Sequence, residues 1–525
     1  MRQKEGACGM ERTSLTYKTY VEILNRELVC AMGCTEPIAI AYCAAAARRA
    51  LGALPTCIEV AASGNIIKNV KSVIVPNTGG LRGIAAAAAI GALAGDADAG
   101  LQVVSHVTPE QIAALPGYMA QTKFEISAAE SEYLLDIEVT VRANDHFATV
   151  RAVQEHTNII LVETDEGIVF AKDPEQAPSA AEPTPDYTLL NVADICEFAD
   201  TCELEDVKPL LDRQLSCNCA IAEEGLRGNY GAGIGKVLLA AYGDDVRTRA
   251  RAYAAAASDA RMNGCDLPVV INSGSGNQGI TASLPVYVYA KELNVSEEKL
   301  YRALLVSNLV TLHEKTGIGR LSAYCGAVSA GAGAGAGITY LYGGGCREIS
   351  HTIVNALAVT SGIVCDGAKS SCAAKIAMAV EAGILGFEMF RCGQQFYGGD
   401  GLVAKGVENS IANFSRLGFF LWHTGISQAL CHSISKAASR IKTFGRRLKN
   451  HLHFPVNVFH FVSFIVGDVF SIEQNLSIGT VKKPGDHIYN RRLSASALPD
   501  DRQLFSRKQF KTDIIHRLIF ILFSI

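Results

Sequence analysis

Runs of alanine and glycine with almost no charge inside them constrain this chain more than any other feature. Residues 326–337 consist mainly of glycine and alanine, and the segment Ile38 to Leu51 carries alanine along nearly all of its apolar side. Because small side chains let helix axes approach closely, both segments are predicted to be tightly packed helices. The absence of charge from the run at 326–337 also argues against a disordered linker. The sequence therefore predicts a core built largely from closely packed helices.

The composition changes near residue 100. With 525 residues the chain is too long for one typical hydrophobic core, so two or three domains are expected. From about residue 100 to residue 172, alanine becomes scarcer and β-branched residues alternate with polar ones. We predict a helix over residues 109–121 and strands over residues 101–107, 124–128, 133–142, 146–154 and 158–163. Outside this segment, short strands are predicted at residues 57–62, 70–75 and 269–272.

These patterns predict the α+β class. The expected architecture is a largely helical core with Gly/Ala-rich helices and short strands, together with a smaller inserted α+β module. The core is expected to take residues 10–99 and 186–417, and the module residues 100–173. The stretch from Pro174 to Pro185, rich in proline, alanine and glutamate, is predicted to be the linker that leaves the module.

Three cysteines stand where small residues crowd together. Cys365 and Cys372 are seven residues apart, and Cys325 precedes Cys365 by forty. Thiolates are the ligands of iron–sulfur clusters, and three of them on a four-iron cluster leave one iron free to bind a substrate atom as a Lewis acid. The spacing is not a compact CxxC pattern, so the alternative that these are small buried hydrophobic residues stays open.

A fourth cysteine, Cys34, lies where glycine and proline break the chain between two predicted helices. The N-terminus of a helix lowers the pKa of a nearby thiol, which would make Cys34 a competent base or nucleophile. The alternative is a buried cysteine with a structural role, since free cysteine is among the most buried residue types. The position of Cys34 therefore predicts a reactive thiol without excluding a structural one.

Two turns repeat one pattern, in which a strand is followed by Asn-Thr/Ser-Gly, further glycines and a helix. They are Asn77-Thr78-Gly79 and Asn272-Ser273-Gly274-Ser275, the second continuing to Asn277. A glycine-rich turn that begins a helix offers backbone N–H groups to an anion such as a substrate carboxylate. The alternative is a tight turn that needs glycine only for its backbone angles. Neither turn matches a nucleotide-binding fingerprint, which argues against nucleotides as ligands.

Five motifs together resemble the L-cysteine desulfidase family, which is related to the iron–sulfur L-serine dehydratases. They are Met32-Gly-Cys-Thr-Glu-Pro37, Asn77-Thr-Gly-Gly, Asn272-Ser-Gly-Ser-Gly-Asn277, Cys325-Gly and Ser361-Gly-Ile-Val-Cys-Asp-Gly-Ala-Lys369. The motifs fall in the order that the family has, and the likeness extends from about Thr13 to Leu417.

This resemblance implies an oxygen-sensitive [4Fe-4S] cluster held by Cys325, Cys365 and Cys372, within a catalytic domain at 186–417. It also implies that Cys34 is the catalytic base, in a reaction that converts L-cysteine to pyruvate, ammonia and sulfide without pyridoxal phosphate. Such an elimination needs a base at the α-carbon and an electrophile at the leaving group. The two turns would then hold the substrate carboxylate, and Lys369 or Arg82 would add positive charge.

Three other functions stay open at this point. L-serine is a credible substrate for the same chemistry, because a hydroxyl is eliminated in the same way as a thiol. A redox or iron sensor would use the three cluster cysteines without turnover, and an inactive relative would result from an altered C-terminus. Cys34 separates these hypotheses, because a sensor has no need for a thiol base facing the cluster.

Residues 418–525 differ in character from the rest of the chain. They hold twelve of the twenty phenylalanines and the only tryptophan, Trp422, but only six of the forty-eight glycines. An abrupt change inside a motif is what a shifted reading frame produces, which is our prediction for this tail. A basic, aromatic tail for a membrane surface or nucleic acid is the alternative. The apolar run from Phe454 to Phe470 contains Pro455, His460 and Asp468, so it is a poor membrane-spanning helix.

The remaining composition predicts a cytoplasmic protein with a small amino acid as its partner. The formal charge of −4 gives no electrostatic reason to expect nucleic acid, and we expect no membrane partner. Residues 1–16 are polar and charged, without a secretory signal. Sixteen cysteines in so long a chain do not resemble a disulfide scaffold, which suits reduced thiols. A homo-oligomeric state stays open.

Overall fold

The computed structural model describes residues 9–173, 185–319, 321–322 and 324–423, with side chains described as far as Gly418. The helices in this part of the chain are α1 (Leu15–Glu27), α2 (Thr35–Leu51), α3 (Gly64–Val70), α4 (Gly83–Ala94), α5 (Pro109–Gln121), α6 (Val192–Thr201), α7 (Lys208–Arg227), α8 (Ile234–Tyr242), α9 (Val246–Met262), α10 (Gly276–Glu292), α11 (Glu297–Ile318), α12 (Ala327–Leu341), α13 (Cys346–Thr360), α14 (Ser371–Arg391) and α15 (Val407–His423). The strands are β1 (Cys30–Met32), β2 (Cys57–Ala62), β3 (Lys123–Ala128), β4 (Asp136–Ala143), β5 (His146–Val153), β6 (Ile159–Thr164), β7 (Gly167–Ala171) and β8 (Pro268–Val270). Helices predominate and the strands form two small sheets, which confirms the predicted α+β class.

The larger sheet has six strands in the order β3–β2–β4–β5–β6–β7. Strand β2 is parallel to β3, and all the other neighbours are antiparallel. Alternate residues of β4, among them Ile137, Val139 and Val141, are buried in a core shared with α2 and α4. Because β2 precedes residue 100, the sheet joins a strand of the 10–99 segment to strands of the 100–173 segment.

The smaller sheet pairs β1 with β8 in antiparallel fashion, with Cys30 opposite Val270. Strand β1 leads through Gly33 and Cys34 into α2, and β8 leads through residues 271–275 into α10. The hydroxyl of Thr35 donates to the carbonyl oxygen of Gly274 at 3.1 Å. This contact joins the N-terminal ends of α2 and α10.

Glycines on two sides of α12 let the neighbouring helices approach to backbone distance. A Cβ atom on Gly331 or Gly335 would lie 2.3 Å or 2.6 Å from a carbonyl oxygen of α14. On the other side, a Cβ atom on Gly333 would lie 2.5 Å from the carbonyl oxygen of Ser307 in α11. Only residues without a side chain fit these crossings. The tightly packed helix predicted over 326–337 is therefore confirmed.

Gly383 of α14 allows a direct test of this packing. A Cβ atom there would lie 2.1 Å from the carbonyl oxygen of Gly331, so Gly383→Ala must push the two helices apart. We expect the free energy of unfolding, measured from the urea midpoint, to fall by about 1–3 kcal/mol, as in other overpacked cores. Gly117→Ala in α5 is the control, because nothing lies within 4 Å of its Cβ position. The control should be neutral or slightly stabilising, and an unchanged Gly383→Ala midpoint would contradict the close contact.

The strands predicted at 70–75 and 101–107 are wrong. Val70 is the last residue of α3, and Ile74 makes only isolated bridges. Residues 100–102 form a single 3₁₀ turn, after which the carbonyls of Val103 and Val104 accept hydrogen bonds from Asp96 and Asn77. Both valines are buried. An apolar β-branched run indicates burial, but it does not specify which groups bond its backbone.

Helix α15 crosses residue 418, the predicted start of the atypical tail. Phe414 of this helix stacks on Tyr324, with ring centroids 4.6 Å apart, so α15 packs next to Cys325. Residues 424–525, which make up most of the predicted tail, lie outside the described residues. Within the described residues, no helix is long and apolar enough to cross a membrane.

Candidate active site

The three cysteines predicted as cluster ligands lie together despite their separation in sequence. Cys325 directly precedes the Gly326 that begins α12, and Cys372 lies in the first turn of α14. The loop that carries Cys365 is bound to the first of these, because the backbone N–H of Cys325 donates to the carbonyl oxygen of Ile363 at 3.1 Å. The close packing of α12 on α14 then brings the N-terminal ends of the two helices together.

The charges of the three thiols influence one another. Burial, together with the neighbouring thiols of Cys365 and Cys372, raises the pKa of Cys325 to about 12. Burial also raises the pKa of Cys372, with a contribution from Cys365. Thiolates that lie near one another repel, so it is unfavourable to ionise all three thiols. A cation bound to all three would stabilise their ionised forms.

Lysines surround this group of thiols. The Nζ atom of Lys68, a residue only 8% exposed, lies 4.0 Å from the sulfur of Cys365 and 3.4 Å from its carbonyl oxygen. Lys369 forms an ion pair with Asp366 at 2.6 Å, and Lys375 forms another with the same carboxylate. The positive charge of Lys375 acts against the burial that raises the pKa values of Cys325 and Cys372, and Lys369 acts in the same direction on Cys372, but burial has the larger effect.

This donor set fits an iron–sulfur cluster better than a single metal ion. Among the described residues, no three His, Cys, Asp or Glu side chains gather as ligands of one ion. In a four-iron cluster each thiolate binds a different iron, so the ligands stand apart around the cluster. Three soft thiol donors with positive charge beside them are of the type that such a cluster binds.

Cys34 packs against this group. Its side chain is 3% exposed and forms a small apolar cluster with Val73 and Met262, against which Ala368 and Cys372 pack. The residue is the N-cap of α2, as the break in the sequence indicated. The expected lowering of its pKa is wrong, however, because burial and the charge of Glu36 raise it well above the usual value. Cys34 is therefore a thiol in this structure.

Glu36 is the hydrogen-bond acceptor of the Cys34 thiol. The Cys34 sulfur donates to Glu36 Oε2 at 2.9 Å, and Asn69 Nδ2 donates to Oε1 at 2.8 Å. Burial acts to raise the pKa of Glu36, but His156, Cys34 and Arg261 together lower it. Glu36 is thus a buried carboxylate with a thiol as its hydrogen-bond donor, and both pKa directions keep the proton on sulfur.

The turn at 272–277 lies against Cys34 through the contact between Thr35 and Gly274. Its first two side chains are used internally: Asn272 Nδ2 donates to Asn308 Oδ1 at 3.1 Å, and the Ser273 hydroxyl donates to Asn272 Oδ1 at 2.8 Å. Ser275 and Asn277 are half-buried at the start of α10. Asn277 Oδ1 accepts hydrogen bonds from the Ser258 hydroxyl at 3.2 Å and from Arg261 Nη1 at 3.0 Å, so the Ser275 hydroxyl and the Nδ2 group of Asn277 remain as candidates for substrate contact.

The turn at 77–79 has a different setting. It packs next to Gly33, whose Cβ position would lie 2.3 Å from Pro76. Asn77 donates to the carbonyl oxygen of Val104 at 2.7 Å, the Thr78 hydroxyl donates to that of Val75 at 2.6 Å, and Gly79 is exposed. Helix α4 begins four residues later, at Gly83. These side chains stabilise the turn itself.

Neither of the two cations proposed from sequence faces Cys34. Arg82 donates to the carbonyl oxygen of Ser72 at 2.5 Å and is exposed. Lys369 is engaged with Asp366 and with the carbonyl oxygens of Asp366 and Gly367, which stabilises the cysteine loop.

Three residues near the site were missed by sequence reasoning: Glu36, Lys68 and Arg261. Glu36 stands two residues after Cys34, so the motif itself carried a signal for it. Lys68 and Arg261 lie at the ends of α3 and α9, far from the cysteines in sequence, and no local pattern marks them. Arg261 adjoins Met262, which packs on Cys34.

Comparison with known proteins shows the family to which the chain belongs. The chain matches the family described as serine dehydratase alpha chain over residues 98–418. The chain belongs to this serine dehydratase alpha chain family, which is generally associated with iron–sulfur serine dehydratases, and membership indicates a lyase-type reaction.

Within the family, the chain is similar to proteins named UPF0597. It is 58% identical over 409 residues to one from Desulfitobacterium hafniense, covering 78% of this chain and 95% of that protein. It is 51% identical over 399 residues to one from Lachnoclostridium phytofermentans, covering 75% and 94%. It is 49% identical over 401 residues to one from Treponema denticola, covering 75% and 93%. These names state no substrate.

Proposed function

We propose that the protein is an iron–sulfur-dependent lyase that converts L-cysteine to pyruvate, ammonia and sulfide by β-elimination. The shared contact of Cys34 and Cys372 with one small apolar cluster, which includes Val73 and Met262, carries the proposal, because a candidate base then lies close to one of three thiols suited to a cluster. Cys325, Cys365 and Cys372 would hold a [4Fe-4S] cluster. Such a cluster would supply a Lewis acid for the leaving group at the iron that has no protein ligand.

Cys34 and Glu36 would provide the acid–base chemistry. Glu36 Oε2, which accepts the hydrogen bond of the Cys34 thiol at 2.9 Å, would take the thiol proton first, at a free-energy cost set by the raised pKa of Cys34 and the lowered pKa of Glu36. Cys34 then takes the α-proton of the substrate as a general base. The electron pair of the Cα–H bond forms the Cα=Cβ double bond, and the Cβ–S bond breaks with its pair on sulfur. The resulting aminoacrylate takes up water and releases ammonia, which leaves pyruvate.

Several other residues would support this reaction. Asn69 fixes the Glu36 carboxylate by its bond to Oε1, so that Oε2 faces the thiol. Ser275 and Asn277, at the start of α10, would contact the substrate where a helix N-terminus favours an anion. Burial of Cys34 excludes water, which would otherwise compete for the proton.

L-serine is the second candidate substrate, because the matched family is described by serine dehydratase. The same base and the same carboxylate site would serve both substrates, which differ only in the leaving atom. Sulfur is a softer ligand than oxygen and matches iron–sulfide chemistry more closely, which favours L-cysteine.

The experiment is a pair of product assays on protein purified without oxygen. Pyruvate is measured with L-cysteine and L-serine, sulfide is measured with L-cysteine, and D-cysteine and D-serine serve as stereochemical controls. We expect pyruvate and sulfide in equal amounts from L-cysteine, with a higher kcat/KM than for L-serine. A preference for L-serine would support the dehydratase alternative. No product from either L-substrate, in protein that carries the cluster absorbance, would contradict the proposed lyase.

A further inference from the structure

Arg261 is a buried cation without an ion-pair partner among the described residues. Its side chain, in the last turn of α9, is 2% exposed. One guanidinium nitrogen, Nη1, donates to Asn277 Oδ1 at 3.0 Å, and Nε is shielded from solvent with no hydrogen-bond partner in the described part of the chain. A buried charge is costly unless an opposite charge compensates it. An anion that bonded to Nε would therefore satisfy this donor and help to compensate the charge.

Glu36 does not take that role. The charge of Arg261 lowers the pKa of Glu36, so the two groups are near each other. Both oxygens of Glu36 are nevertheless occupied, Oε1 by Asn69 and Oε2 by Cys34 and Thr35. The guanidinium thus lies beside the catalytic thiol and its carboxylate without pairing with either.

The guanidinium also lies against the first turn of α10. A Cβ atom on Gly276 would lie 2.3 Å from Arg261 Nε, so a larger residue there would displace the guanidinium from this position. The N-cap of α10, Ser275, makes no side-chain capping bond. A helix N-terminus has partial positive charge, so a cation next to it is repelled. An anion bound between the guanidinium and the helix N-terminus would remove this repulsion.

We propose that Arg261 binds the α-carboxylate of the amino-acid substrate, together with the N–H groups at the start of α10. Guanidinium and carboxylate match in a two-bond geometry, and the unpartnered Nε can supply one of these bonds. Because Met262 packs on Cys34, a carboxylate held by its neighbour Arg261 directs the substrate Cα–H toward the thiol. This inference rests on the proposed lyase function and assigns the residue that recognises its substrate class.

The test is binding of L-alanine, which keeps the α-carboxylate but has no leaving group, against L-alaninamide, which lacks the charge. Calorimetric titrations use the full chain prepared without oxygen, as wild type, Arg261→Met and Arg261→Lys. We expect wild type to bind L-alanine and to discriminate against L-alaninamide by roughly 10²-fold, the scale of a buried charge pair. Arg261→Met should lose this discrimination. Arg261→Lys should keep part of it, because the charge remains without the planar fork.

Arg249→Met is the matched control. Arg249 lies on the same helix, but it is bound to Asp244 and Glu292 at the surface. The control should bind L-alanine as wild type does. Circular dichroism and the cluster absorbance verify that each variant is folded.

Turnover separates this inference from the proposed function. With L-cysteine, Arg261→Met should raise KM by roughly 10²-fold, with a smaller change in kcat. If wild type turns over neither L-cysteine nor L-serine but binds L-alanine through Arg261, the lyase proposal fails and the carboxylate site stands. If wild type is an active lyase but binds L-alanine no better than L-alaninamide, or Arg261→Met retains KM within twofold, the carboxylate assignment is wrong.

Discussion

Cys34→Ala is expected to retain the absorbance of an iron–sulfur cluster while losing turnover by roughly 10²–10⁴-fold, the loss typical of a removed general base. The reason is that Cys34 adjoins Cys372 without being one of the three proposed ligands. The variant should also stop exchanging the substrate α-hydrogen with deuterated water, which NMR detects directly. This second measurement reports proton transfer alone, independently of loss of the leaving group.

Cys43→Ala is the matched control for this variant. Cys43 lies on the same helix, α2, and is fully buried, but it packs in the core beneath the sheet. It should lose some stability and keep both exchange and turnover. If Cys34→Ala turns over at a near-normal rate, the assignment of Cys34 as the base is wrong, although the cluster proposal would survive.

Replacing any one of Cys325, Cys365 or Cys372 by serine is expected to remove colour and turnover together. A serine oxygen is a poor ligand for a soft iron–sulfur cluster, and without the cluster no Lewis acid activates the leaving group. Visible absorbance and iron content of protein prepared without oxygen measure the first effect, and the sulfide assay measures the second.

Cys392→Ser provides the control for these three variants. Cys392 follows the last residue of α14, the helix that carries Cys372 in its first turn, and it is exposed. Its replacement should change neither iron content nor activity. If a Cys365→Ser protein keeps its full iron content, Cys365 is not a ligand and the three-cysteine assignment is wrong.

Residue patterns predicted much of the fold. The alternation of β-branched and polar residues indicated β3 to β6, and the small-residue runs indicated α2 and α12. The pattern failed at Val103 and Val104, which are buried in a turn region instead of a strand. Periodicity reports which side of a segment is buried, but a short apolar run fits several backbone conformations.

The candidate site was predictable where its residues lie in one motif. Cys34 and the cysteines at 365 and 372 stand at chain breaks or beside small residues, and these features are visible in the sequence. The helix end at Cys34 also led to a wrong expectation for its pKa, because burial and Glu36 outweigh the helix N-terminus. Local sequence indicates a helix terminus, whereas desolvation depends on everything packed around it.

The sequence by itself determined the helical core and the small residues that allow its close crossings. Those properties follow from side-chain size and period, which are local. Only the tertiary structure decided which side chains meet: Lys68 beside Cys365, Asn272 turned inward to Asn308, and Arg261 against the first turn of α10. Each of these contacts joins segments that are distant in the chain. Whether a buried charge is paired depends on all the segments packed around it, so no single segment of sequence determines it.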